Sequence, residues 1–119
     1  MLINLSNHPS DRWGDEQRQQ AIEQYGGIED VAFPQISPQA THKEVKRLAE
    51  SYAVRIQNRK NETTKIAVHL MGEMTFTYIL VNQLLAAGIP CLASTTHRTV
   101  EEKDGKKIVQ FQFVQFREY

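Results

Sequence analysis

The sequence predicts an α/β fold: a Rossmann-like, mainly parallel sheet in the order 2-1-3-4, with helices on both faces and a C-terminal β-hairpin. Three observations carry this. Short apolar runs alternate with amphipathic helical segments over most of the chain. The run Ile66 to Met71 is apolar on both faces apart from His69, as expected of a strand in the middle of a parallel sheet. Finally, Lys103-Asp104-Gly105-Lys106 separates two strand-like runs, and Asp-Gly in that position is a hairpin signal.

The elements follow in order. Residues 2–6 form a short apolar run read as the first strand, which Asn7-His8-Pro9-Ser10 breaks. A polar helix opens at Asp15 and runs to about Tyr25, with Ala21, Ile22 and Tyr25 as its thin apolar face. Gly26-Gly27 ends it, because glycine tolerates the left-handed conformation past a helix end. Ile28 to Phe33 reads as the second strand, closed by Pro34. Thr41 with Glu44 three residues on forms a capping box for a helix from about His42 to Asn58. Val45, Leu48, Ala49, Tyr52 and Ile56 lie on its buried face. Asn58 to Lys65 reads as a polar connection into the third strand. Gly72-Glu73-Met74 then turns into a helix beginning near Thr75, whose buried stripe is Phe76, Ile79, Leu80, Leu84 and Leu85. Gly88 terminates it, and Ile89 to Ala93 is the fourth strand. Ser94 to Arg98 is expected to be a loop, followed by the hairpin of Thr99–Glu102 and Lys107–Phe116.

Composition narrows the function. With 119 residues the chain is expected to form one domain, residues 1–119. Fourteen Lys and Arg balance fourteen Asp and Glu, which argues against a sequence-independent duplex binder but not against a small anionic ligand. The single cysteine, Cys91, excludes an internal disulfide framework and a cysteine-based zinc site, and it reads as a core residue. No apolar run approaches ~18 residues, so no membrane span is expected, and the start lacks the pattern of a signal peptide. A cytoplasmic protein is the expectation.

In open parallel sheets ligands bind beyond the carboxyl ends of the strands, where strand order reverses. The residues just past the strands are therefore the candidates. After the first come Ser6, Asn7, His8 and Ser10, with Trp13 further on. After the third come Gly72, Glu73 and Thr75, and after the fourth Thr95, Thr96 and Arg98. Gly72 would let a ligand approach the backbone, and the free N–H groups of the following helix would favour a phosphate or carboxylate. Glu73 would compete with such an anion. His8 is the candidate general acid or base, because histidine titrates near neutrality. Arg98 could grip a phosphate bidentately. His69, inside a strand, reads as a core histidine, and Trp13 as a plug between the first helix and the sheet. No histidine pair has ligand spacing with a carboxylate, so no metal site is expected. Neither G-x-G-x-x-G nor G-x-x-x-x-G-K-[ST] occurs, which disfavours a dinucleotide dehydrogenase or a nucleoside-triphosphatase.

The run Leu-Ile-Asn-Leu-Ser-Asn-His-Pro-Ser at 2–10, the turn Met-Gly-Glu-Met-Thr-Phe-Thr at 71–77 and Ala-Ser-Thr-Thr-His-Arg at 93–98 resemble small CRISPR-associated Rossmann-fold (CARF-like) proteins of the stand-alone ring nuclease type. The resemblance implies a homodimer whose cleft holds a cyclic oligoadenylate, tetra-adenylate first among them. It implies cleavage without cofactor or metal, by attack of a ribose 2′-hydroxyl on the neighbouring phosphorus. Ser6, Asn7, His8 and Ser10 would meet phosphate and ribose, the helix start from Gly72 to Thr75 would cradle a phosphate with Glu73 orienting a hydroxyl or binding an adenine amine, and Thr95, Thr96 and Arg98 would complete the wall. The lysine-bearing phosphate loop of many CARF domains is absent, and Arg98 would serve in its place. Two alternatives stand beside this one: a non-catalytic cyclic-nucleotide sensor or sponge of a type III CRISPR system, and an unrelated Rossmann-like protein for another anionic metabolite.

Overall fold

β1 (Leu2–Ser6) is buried along its whole length and is an interior strand of the sheet. In this computed structural model, which describes residues 1–62 and 65–119, it pairs in parallel with β2 (Ile28–Asp30) on one side and β3 (Ala67–Met71) on the other. β4 (Cys91–Lys103) pairs in parallel with β3, and β5 (Lys106–Glu118) pairs antiparallel with β4. The order is β2-β1-β3-β4-β5. The expected Rossmann-like sheet and its C-terminal hairpin are both present.

Side chains alternate across the sheet with a period of two. Ile3, Leu5, Val68, Leu70 and Cys91 face one way, against α2 (His42–Glu62) and α3 (Met74–Ala86). Leu2, Ala67 and Leu92 face the other, against Trp13 and α1 (Asp15–Tyr25). Helices thus cover both faces, as right-handed crossovers require. Burial pushes the Cys91 thiol up to about 12, so it is an inert core group.

Several boundaries differ from the sequence expectation for physical reasons. β2 stops at Asp30 rather than Phe33, because the chain then leaves the sheet and packs Phe33 edge-on against Phe76. α2 runs on to Glu62 instead of stopping near Asn58. Arg59 ties its last turn down, reaching Glu29 of β2 through Nε (2.8 Å) and NH2 (3.1 Å) and Glu62 through NH1 (2.9 Å). Thr63 and Thr64, within the expected polar connection, lie outside the described residues. α3 turns Thr77 and Val81 inward and leaves Leu85 exposed, and Ile22 of α1 is also exposed.

The largest difference is at β4. Ser94 to Arg98 is not a loop; it belongs to one continuous strand from Cys91 to Lys103. β3 accompanies β4 only at Val68–Cys91 and His69–Leu92, so beyond Leu92 the strand has β5 alone as its partner. The two make a long arm closed by Asp104 (φ 55°) and Gly105 (φ 75°), both left-handed as a type I′ turn demands. A bulge between Thr95 and Thr96 shifts the register.

Gly72 has a structural reason that the sequence did not reveal. A β-carbon at this position would run into the Phe33 ring. The close approach that glycine permits here is therefore made by Phe33. Gly72→Ala is expected to destabilise the protein by about 1–3 kcal/mol through overpacking. Combining it with Phe33→Ala should cost less than the sum of the two single changes, as measured by denaturant unfolding. Additive effects would mean that the two residues do not collide.

Candidate functional site

Asn4 organises the end of β1. It is buried, and all four of its amide hydrogen-bonding positions are filled. Its Nδ2 donates to the His8 carbonyl (2.9 Å) and to Asp30 Oδ1 (2.8 Å). Its Oδ1 accepts from Ser6 Oγ (2.8 Å) and from His69 Nδ1 (2.9 Å). The His8 carbonyl also accepts from Trp13 Nε1 (3.2 Å). Asp30 in turn accepts from the Ser10 backbone (3.0 Å) and hydroxyl (2.6 Å). Burial alone would raise the Asp30 carboxyl, but the hydrogen bonds from Ser10 and Asn4 outweigh it and hold the group below its usual range. The loop after β1 is thus anchored from both sides.

Beyond this anchor lies a pocket of about 780 Å³. Its floor is the α1-side face of the sheet: Ser6, His69, Met71 and Gly72, continued by Ser94 and Thr96 of β4. One wall is the loop after β1 with the start of α1, including Asn7, His8, Arg12 and Trp13. The opposite wall is the arm, which contributes Phe111, Gln112 and Phe113. The His8 and Asn7 side chains are exposed at its edge, with His8 Nδ1 3.0 Å from Asn7 Oδ1.

The residues singled out from sequence divide into two groups. Ser6, Asn7, His8, Gly72 and Thr96 meet in this pocket. Ser10, Glu73, Thr75, Thr95 and Arg98 do not line it. Ser6 is held inward by its bond to Asn4, and Ser10 is bound to Asp30. Thr95 bonds Gln115 across the hairpin. Arg98 pairs with Phe111 on the arm, on the face that carries the pocket wall. Glu73, not Thr75, is the N-cap of α3. Its carboxylate accepts from the backbone N–H groups of Thr75 (3.1 Å) and Phe76 (2.9 Å) and from the Thr75 hydroxyl (2.8 Å). The Phe76 and Thr75 hydrogen bonds hold it below the ordinary glutamate range. The donors expected to cradle a phosphate are already occupied.

Two contributors went unrecognised. His69 is a core histidine, as expected, yet it also lines the pocket. Its register partner is Asn4, two residues from Ser6, so parity along β1 and β3 could have placed it on the site face. Phe111 and Phe113 were legible as one strand face, but reading Ser94–Arg98 as a loop hid where that face leads. Trp13 plugs the space between α1 and the sheet, as expected, with its ring 5.2 Å from His69 in an edge-on arrangement.

Residues 1–117 match the family model described as the Uncharacterized protein MJ1673 family. The chain belongs to that family. Compared with curated proteins and with solved structures, it finds no match in either. The family match spans both the anchored loop after β1 and the arm, so the pocket is built wholly from the matched region. Among the described residues no helix is long and apolar enough to cross a membrane, and no cluster of three or more His, Cys, Asp or Glu is placed to hold a metal ion.

The buried His69 gives the site a pH signature. Burial, with His8 nearby, pushes its imidazole down to about 4. An unfolded histidine titrates near 6.5, so between the two values only the unfolded chain takes up the proton. The contribution is full above pH 6.5, declines as pH falls, and is gone below about 4. Its ceiling is about 3 kcal/mol. Denaturant unfolding at pH 7 and pH 4.5 should show a larger loss for the wild type than for His69→Phe. Equal losses would remove His69 as the source.

Proposed function

We propose that the chain binds a phosphorylated nucleotide in the pocket beyond β1 and β3, and that its activity is that of a CARF-like ring nuclease that opens a cyclic oligoadenylate. The observation that supports the binding reading is the pocket itself. It sits at the carboxyl ends of parallel strands where the order reverses, and combines polar groups at its edge with aromatic side chains in its wall. Aromatic rings suit a base, and Arg12 and Asn7 offer donors to phosphate.

The chemistry needs few protein groups. A ribose 2′-oxygen attacks the adjacent phosphorus, the bond from phosphorus to the 5′-oxygen breaks, and a 2′,3′-cyclic phosphate and a 5′-hydroxyl result. The proton leaves the 2′-hydroxyl and one is delivered to the 5′-oxygen. His8, exposed at the pocket edge, is placed to take that first proton. Arg98 would stabilise charge developing on the phosphoryl oxygens, approaching from the arm. In a homodimer paired through the apolar side of the arms, two such pockets would face one cyclic ligand.

A second reading is a sensor or sponge that binds the same ligand without cleaving it. It draws support from the occupied donors at the start of α3 and from the inward bonds of Ser6 and Ser10, which leave His8 with few helpers.

Incubation with cyclic tetra- and hexa-adenylate in EDTA distinguishes the readings. Linear product supports the ring nuclease, binding without turnover the sensor, and no interaction overturns both. Trp13 is the sole tryptophan and lines the pocket, so its fluorescence reports binding directly. His8→Ala and Arg98→Ala are each expected to reduce turnover at least tenfold while leaving the melting temperature unchanged. Full activity in both variants would overturn the assignment of these roles.

A further inference from the structure

His69 is 2% exposed, and its two ring nitrogens have different fates. Nδ1 lies 2.9 Å from Asn4 Oδ1, whose amide nitrogen is already engaged with His8 and Asp30. That oxygen can only accept, so the proton sits on Nδ1 and Nε2 carries a lone pair. Among the described residues no hydrogen-bond partner meets Nε2. A buried polar atom without a partner is unusual, and the ordinary explanation is that something else supplies one. Here the residue lines the main pocket.

The surroundings define what could fill the position. The imidazole stands edge-on to Trp13 (5.2 Å between centroids) and to Phe116 (5.7 Å). Phe113 lies 5.0 Å from Phe116 and also lines the pocket. A planar, largely apolar ring fits such walls, and a single acceptor at their base asks for an N–H or O–H on that ring's edge. The ring stays neutral near pH 7 because burial opposes its charging. It therefore neither attracts an anion nor donates to a carbonyl.

We infer that His69 is a specificity-determining residue of a base subsite, accepting a hydrogen bond at Nε2 from the exocyclic amine of a 6-aminopurine and disfavouring the 6-oxo analogue. This rests on the reading of the pocket as a nucleotide site and adds to it which base edge is read. An oxo group would set acceptor against acceptor at this position, and the base would have to slide along the wall to bring its N1–H to Nε2 instead, a mismatch that discriminates against the analogue.

AMP and IMP differ at this one group and serve as probes. Titration calorimetry is expected to show AMP binding at least tenfold tighter than IMP. His69→Phe keeps an aromatic ring but lacks the acceptor, and it also removes the donor to Asn4 Oδ1, so its folding is checked by its melting curve; the folded variant should bring the ratio close to one. The wild-type protein supplies a second test that needs no variant: ¹⁵N NMR of the imidazole should show Nδ1 protonated and Nε2 bare, with AMP shifting the Nε2 resonance. If AMP and IMP bind alike, or His69→Phe keeps the preference, the base-edge inference falls while the nucleotide site stands. If neither nucleotide binds, both fall. A free protein with Nε2 protonated overturns the inference whatever binds.

Discussion

The structure depends on one buried side chain. Asn4 sits in β1, a buried interior strand, where an unpaired amide would destabilise the fold by about 1–3 kcal/mol for each group left without a partner. It avoids that penalty by joining four separate pieces: Ser6 on its own strand, His69 on β3, Asp30 at the end of β2 and the carbonyl of His8 in the following loop. Each of these bonds also fixes a direction. The His8 carbonyl turns inward, which turns the His8 side chain outward to the pocket edge. The His69 proton is committed to Nδ1, which leaves Nε2 bare. Asp30 is held where it can bind Ser10 and shape the loop. A network of this kind rigidifies only when every member is satisfied, and within it every atom but His69 Nε2 is.

The second constraint is the arm. A two-stranded ribbon is marginal in water unless something packs against it. The base of this one has support: Phe116 enters the α1-side core, and Gln20 of α1 donates to the Val114 carbonyl at the bulge (3.3 Å). Farther out, cross-strand pairing puts Thr96 with Phe113, Arg98 with Phe111 and Val100 with Val109 on one face, while His97, Thr99, Gln110 and Gln112 fall on the other. The arm is thus amphipathic, and its apolar side begins as the pocket wall.

How much of this the sequence disclosed follows from the range of the forces involved. Elements set by periodicity and capping were legible: β1 as Leu2–Ser6, α1 as Asp15–Tyr25, and the Asp104-Gly105 turn. Strand order followed from handedness, which is a local rule with a global result. What escaped was set by tertiary partners. Ser94–Arg98 holds small hydroxyls and a histidine, which look like loop in isolation; β5 supplies the ladder that makes them strand. Gly72 looked open to a ligand because its neighbour, Phe33, lies far back in the sequence. Glu73 was seen as a competitor for anions at the helix start, and its carboxylate does fill that place. Of the candidate residues, those lining the pocket are Ser6 of β1 and Thr96 of β4, where strand position decides direction, with Asn7 and His8 of the loop after β1 and Gly72 of the turn after β3. Those outside it, such as Ser10 and Thr95, have side chains captured by a partner that the sequence could not name.

These particulars bear on what kind of recognition the pocket can perform. The usual device of the fold, a bare helix start aimed at phosphate, is closed by Glu73. Phosphate would have to be met by side chains at the edge, where Arg12 and Asn7 stand exposed to water and each interaction is correspondingly weak. The interior is different: Trp13, Phe113 and His69 line it, and Trp13 and His69 are buried. Desolvation makes a hydrogen bond there more discriminating than one at the rim, since a wrong partner leaves a buried group unpaired. The charged and polar groups of the rim and the aromatic groups of the interior are therefore separated in space, with Phe111, Gln112 and Phe113 of the arm forming the wall opposite the loop after β1.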